Sequence, residues 1–161
     1  MRRRKSKGPV VSNGDGTFTL DIEEHETEIL CSFVDQLAQL LRGDTRDPRM
    51  RRLFPVAYGT DENADAEWQS FMHDELVQSK VSMADHVAGV LARGGTLTAD
   101  DLTRLMLTIN GLRLVLGTIL DITDDEHEPE LDEDDPLSAQ WHLYMWLGWL
   151  LEWVIDAQVA G

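Results

Sequence analysis

The chain has 161 residues, 42% apolar and 27% charged, with a formal net charge of −16. That length fits one domain able to bury roughly two-thirds of its unfolded surface, and the apolar content argues against disorder throughout. So acidic a body repels phosphate backbones, which argues against direct nucleic-acid binding except through residues 1–7, where Arg2, Arg3, Arg4, Lys5 and Lys7 stand without an acid.

Residues 1–8 are expected to form a disordered basic arm, and 9–161 a single helical domain. Cys31 is the only cysteine, so an intramolecular disulfide is ruled out and a reducing cytoplasm is the expected location. The basic start runs into Gly8-Pro9 instead of an apolar secretory segment.

Residues 9–21 read as a hairpin, with Val10-Val11 and 17–20 flanking Asn13-Gly14-Asp15-Gly16, residues that tolerate positive φ. A first helix is predicted from Asp21, capped with Glu24, to Gly43. Its apolar face is Ile22, Ile29, Leu30, Phe33, Leu37, Leu40 and Leu41. Cys31 falls off that face, between Glu28 and Asp35, which would disfavour a thiolate. Residues 44–61 form a long, arginine-rich connection punctuated by Pro48, Pro55 and Gly59, with Leu53, Phe54 and Tyr58 expected to pin it to the core.

A second helix is predicted over 62–80 with Trp68, Phe71, Met72 and Leu76 inward. Ser82 with Asp85 suggests a new cap and a third helix to Arg93. The most apolar stretch follows at 102–120, capped by Thr98, with no acid and only Arg104 and Arg113 as charges. Arg113 projects into its apolar stripe, so a carboxylate or carbonyls should meet it. Residues 121–135 hold ten acids and one proline and read as an extended loop, lacking the glycine of a calcium-binding loop. The last helix, capped by Asp135 with Pro136 at its first position, is tryptophan-rich and apolar over a wide sector. His142 and Glu152 argue against a membrane span there. The expected fold is therefore mostly α: an irregular bundle of about five helices with a short N-terminal β-hairpin.

The five histidines show no metal-ligand spacing on one helix, and neither a phosphate loop nor a nucleophile elbow occurs, so no enzyme, metal or cofactor is expected. Arg113 is the one residue that residue-level reasoning singles out, either as a core ion pair or as a pocket or interface arginine.

Arg51-Arg52-Leu53-Phe54-Pro55, then Ala57-Tyr58, and above all residues 109–118, Ile-Asn-Gly-Leu-Arg-Leu-Val-Leu-Gly-Thr, resemble the AosR-like family of actinobacterial regulators. Trp146-Leu147-Gly148-Trp149 fits the same pattern, and the likeness runs from about Val10 to Val159. Arg52, Phe54, Pro55, Tyr58, Asn110, Arg113, Trp146 and Trp149 are the signature positions, with either interaction or structural roles. The resemblance implies a non-enzymatic cytoplasmic protein of the oxidative-stress response. Such a protein acts by contact as a transcription co-regulator, with a stress sigma factor as partner, and a homodimer through the last helix is a further expectation. In the redox-sensing form of the family a cysteine pair forms an internal disulfide, and here Cys31 has no companion. The alternative reading is an accessory module with a small-molecule or metal pocket near Arg113.

Overall fold

The computed structural model describes residues 8–44, 46–54, 65–122 and 132–160, without the side chains of residues 65, 66 and 69. The basic arm 1–7, most of the acidic run, and Pro55 and Tyr58 lie outside the described residues.

Strands β1 (Val10–Ser12) and β2 (Thr17–Leu20) form the predicted hairpin, with Val10 opposite Leu20 and Gly14 and Gly16 both at positive φ. A third strand, β3 (Thr96–Thr98), joins β2 antiparallel and sets Leu97 opposite Phe18. Nothing in the sequence pattern anticipates β3. Its three residues are too few to show a period, and it exists because β2 offers an edge and Gly94-Gly95, both at positive φ, turn the chain onto it.

Helix α1 (Glu24–Arg42) starts later than Asp21, because Glu26 rather than Glu24 reaches back, accepting from the Glu23 amide at 3.1 Å. Its inward face is Leu30, Val34, Leu37, Ala38 and Leu41. Ile29 belongs to the solvent side, and Val34 replaces it in the core. A short 3-10 turn, Pro48–Met50, is capped by Asp47 and buries Met50, and Leu53 after it is buried as expected.

Helix α2 (Asp65–Arg93) is continuous, so the predicted break at Ser82 does not occur. No glycine or proline interrupts residues 77–88, and Asp85, the supposed cap partner, instead pairs with Arg42 of α1. The inward assignment of Trp68, Phe71, Met72 and Leu76 is also wrong, for all four are exposed. The helix is about 43 Å long at 1.5 Å per residue. Its core contacts come from Ala84, Val87, Val90 and Leu91 in the second half.

Thr98 opens α3 (Ala99–Ile119), exchanging hydrogen bonds with Asp101 in a capping box at 3.0 Å each way. Leu102, Leu105, Ile109, Leu112, Val115 and Leu116 are buried, and α3 touches α1, α2, α4 (Ser138–Ala160), the 3-10 turn and the sheet. By length and composition α3 could cross a membrane, but half of that stretch is buried inside the fold, the position of a core helix. In α4, Leu143, Leu147, Leu150, Leu151, Val154 and Ala157 face inward, while the Asp135 carboxylate accepts from the Leu137 amide ahead of it. The described residues therefore hold four α-helices, not five, because the second and third predicted helices are one.

Cross-ties fix these helices. Asp101 accepts from His86 of α2 at 2.7 Å, and Gln158 of α4 donates to Thr103 of α3 at 2.9 Å. Burial pushes the Asp101 carboxyl up, but hydrogen bonds from Thr98 and His86 outweigh it and hold it below its ordinary value. A carboxylate depressed in the folded state stabilises fully above its unfolded value, about pH 4, and loses that contribution as the pH falls through the folded one. We expect Asp101→Ala to lower stability by about 1–2 kcal/mol near neutral pH. The gap from wild type should close as urea unfolding is repeated at falling pH below about 4, and a gap independent of pH would contradict the assignment.

Candidate functional site

Two arginines carry the charge that crosses the seam between α3 and α4. Arg52 leaves the 3-10 turn, passes over Gly117 of α3, and donates from Nη2 to the Ile122 carbonyl at 2.5 Å, just beyond the end of α3. Arg113 projects from α3 itself, and its guanidinium lies over the Tyr144 ring of α4, 4.5 Å from the centroid. The ring's negative face is what meets this charge.

Both paths depend on a missing side chain. A Cβ on Gly117 would stand 2.8 Å from Arg52 Nη1, and one on Gly148 of α4 would stand 3.1 Å from Arg113 Nη2. A glycine inside a helix gives up about 1 kcal/mol against alanine, so two of them facing two guanidinium groups mark close approach. Tyr144 lies between, with its Cε2 3.7 Å from the Gly117 position and its face against Arg113.

Neither the carboxylate nor the backbone carbonyls expected for Arg113 are among its described contacts, and its Nε is buried with no hydrogen-bond partner. The reasoning from burial missed the option the chain uses. Arg113 is only half-buried, so its charge is not fully desolvated, and an aromatic face replaces an ion pair.

The other signature residues scatter. Phe54 packs on His73 of α2, with ring centroids 4.7 Å apart. Asn110 lines a cleft of about 170 Å³ between α2 and α3, together with Lys80, Met83, Leu107 and Thr108. Trp146 lines a larger, mostly apolar groove of about 490 Å³ between α1 and α4, with Phe33 and Leu143, and with His25 and His142 on opposite walls. Trp149 is exposed on the outer side of α4. Arg52 beside Gly117 and Arg113 over Tyr144 thus lie along one side of α3, while Asn110, Trp146 and Trp149 each sit elsewhere. Arg113 is in the wall of neither cleft.

Cys31 is partly exposed, in keeping with its place off the apolar face, and α2 packs beside it, with its Sγ 3.9 Å from the Ala88 carbonyl. Burial, and then the charge of Asp35, push its thiol above the ordinary value. Among the described residues no three His, Cys, Asp or Glu side chains gather to hold a metal ion.

Sequence reasoning missed Tyr144 and the part played by Gly117 and Gly148, although both glycines stand in the stretches that carry the family resemblance. The mid-helix glycines were the available signal, since helix propensity alone disfavours them.

Comparison with known proteins follows the same lines. The family model described as Domain of unknown function (DUF2017) matches residues 3–158. The Putative oxidative stress regulator AosR of Mycobacterium leprae (strain TN) is 30% identical, over 71% of this chain and 59% of its own. The Oxidative stress regulator AosR of Mycobacterium tuberculosis (strain ATCC 25618 / H37Rv) is 29% identical, over 68% of this chain and 57% of its own. The chain therefore spans less than two thirds of the length of these relatives. No solved structure matches.

The seam makes a sign-reversing prediction. Gly117→Ala should lower stability by about 1–2 kcal/mol, because displacing Arg52 from the Ile122 carbonyl outweighs the gain in helix propensity. In an Arg52→Ala background the same change should raise stability by up to about 1 kcal/mol. Thermal or denaturant unfolding of the four chains checks it, and equal effects in both backgrounds would refute the close approach.

Proposed function

The chain belongs to the AosR-like family, described as Domain of unknown function (DUF2017), and from that we propose a cytoplasmic, non-enzymatic regulator of the oxidative-stress response that acts by protein contact. The observation that carries the reading is the pair of relatives named as oxidative stress regulators, each matched over roughly 70% of this chain. The finer step, co-regulation of transcription through contact with a stress sigma factor, follows from the family resemblance.

The thiol chemistry favours contact over sensing. A redox sensor needs a reactive thiolate and usually a resolving thiol. Cys31 is the only cysteine, and both its burial and Asp35 hold it protonated. On this reading an oxidant signal reaches the chain through its partner or its abundance, and Cys31 fills a half-buried position against α2.

Gene deletion followed by complementation tests this. Deletion in the native host should raise sensitivity to peroxide, and both the wild-type chain and Cys31→Ser should restore resistance to within about twofold. A deletion strain with unaltered peroxide survival would overturn the regulatory reading. Restoration by wild type but not by a folded Cys31→Ser would overturn contact without sensing.

A further inference from the structure

The first half of α2 carries the most exposed tryptophan and phenylalanine of the described fold. Trp68, Phe71, Met72 and Leu76 are 61%, 56%, 45% and 41% exposed. Residues 68, 72 and 76 recur every fourth position, with Phe71 alongside, so the four make one stripe. Met83 continues the line two turns on, into the 170 Å³ cleft that Leu107 and Asn110 close from α3. Leu107 is itself 44% exposed beside it. From Trp68 to Met83 the stripe runs about 22 Å. Tryptophan, phenylalanine and methionine are the side chains that interface centres favour.

Charge decides what the stripe suits. Glu67, Asp74 and Glu75 are exposed on this half of α2, and none of them makes an ion pair among the described residues. Elsewhere Asp44, Asp47, Asp85 and Asp100 pair with arginines, whereas most of the described exposed acids of this acidic chain, these three included, do not. At the inner end the Thr108 hydroxyl is buried with no hydrogen-bond partner. Glu67 and Asp74 border one side of the stripe and Glu75 stands within it, with Lys80 on the other side toward the cleft, so the exposed outer half of the stripe is acidic and suits a cationic complement.

We propose that this face of α2 docks a cationic amphipathic helix of a partner protein, its apolar side along Trp68, Phe71, Met72 and Leu76 and its basic residues against Glu67, Asp74 and Glu75. The proposal rests on the reading that the chain acts by protein contact, and it names the surface and the partner's chemistry. A second copy is a poor occupant, because two such faces apposed would bring like acids together. Anionic lipid and nucleic acid are repelled by the same acids and by the net charge of −16.

The test uses the full chain and two labelled 18-residue helical peptides with one shared leucine face, the polar face all lysine in one and all glutamate in the other. Fluorescence anisotropy should show the lysine peptide binding at least tenfold more tightly. Trp68→Ala and Leu76→Asp, with unchanged circular dichroism and melting temperature, should each weaken it at least tenfold. Met145→Asp, on the exposed side of α4, should change it less than twofold. A joint Glu67→Lys, Asp74→Lys and Glu75→Lys change should reverse the preference between the peptides. Equal binding to the Leu76→Asp chain would overturn the proposal. So would self-association abolished by Leu76→Asp in sedimentation, which would make the occupant a second copy. A tenfold gain in peptide affinity when residues 55–64 are exchanged for a Gly/Ser linker would make the occupant the chain's own connection and would equally overturn it. Peroxide survival separates the two readings: if peptide binding fails while the wild-type chain still restores resistance, the docking face is wrong and the regulatory reading stands.

Discussion

The constraint on which the rest of the structure depends is that α3 is packed from four directions at once. With α1, α2, α4 and the 3-10 turn all against it, about half of the helix is buried inside the fold. Its buried positions are therefore leucine, isoleucine, valine, threonine or glycine, apart from the capping Asp101. Arg113 is accommodated because the neighbouring helix is shaped for it: Tyr144 supplies a face for the guanidinium and Gly148 the space beside it. A carboxylate in that place would have had to give up its own hydration, which in a half-buried seam recovers little of its cost. An aromatic ring has almost none to give up. Arg52 solves a related problem at the other end of the seam, where a carbonyl just past the last turn of α3 takes a charged donor across the notch at Gly117.

The two ends of α3 are held by different physics. The N-terminal end is fixed by a buried carboxylate that accepts from Thr98 and His86 and so ties α2 to the start of α3. The C-terminal end is fixed by one cation, Arg52, which donates to the Ile122 carbonyl. That division follows the helix dipole, which favours an anion at the first turn and a cation at the last. The sheet lies at the N-terminal end through β3, which runs directly into α3, so the hairpin and the central helix are oriented together.

What the sequence disclosed follows from how local each signal is. Turns and caps are set by neighbouring residues, so Asn13-Gly14-Asp15-Gly16 and the Thr98 cap were readable. The mostly helical class was readable from periodicity. Periodicity marks an apolar stripe but not what covers it, and Trp68, Phe71, Met72 and Leu76 were assigned inward for that reason alone. A buried and an unpartnered stripe look the same in a linear chain. Ser82 misled in a similar way, since a cap residue is a cap only where the preceding chain leaves the helix, and here it does not. Within the candidate site Arg113 was legible as a charge in an apolar stripe, and Arg52 only through the family resemblance. The partner of Arg113 was not, because Tyr144 lies 31 positions after it on another helix and a tyrosine in an aromatic-rich stretch carries no mark of its own.

The residues that carry the family resemblance and the residues suited to meet a partner are different sets, and this shapes how the function is divided over the chain. Arg52 and Arg113 are held by the α3–α4 seam, so their donors are directed at Ile122 and Tyr144 and not outward. A substitution there alters the relative placement of two helices before it alters any surface. The exposed stripe on α2 has the reverse character: removing Trp68 or Leu76 takes little from the core, because neither is buried in it. Chains that share the seam can therefore keep one fold while the α2 face varies in charge and shape, and partner choice can change without refolding the bundle. In this chain the acids around that stripe set the choice, since they leave the apolar contact available to a cationic helix and oppose its use by a second copy or a polyanion.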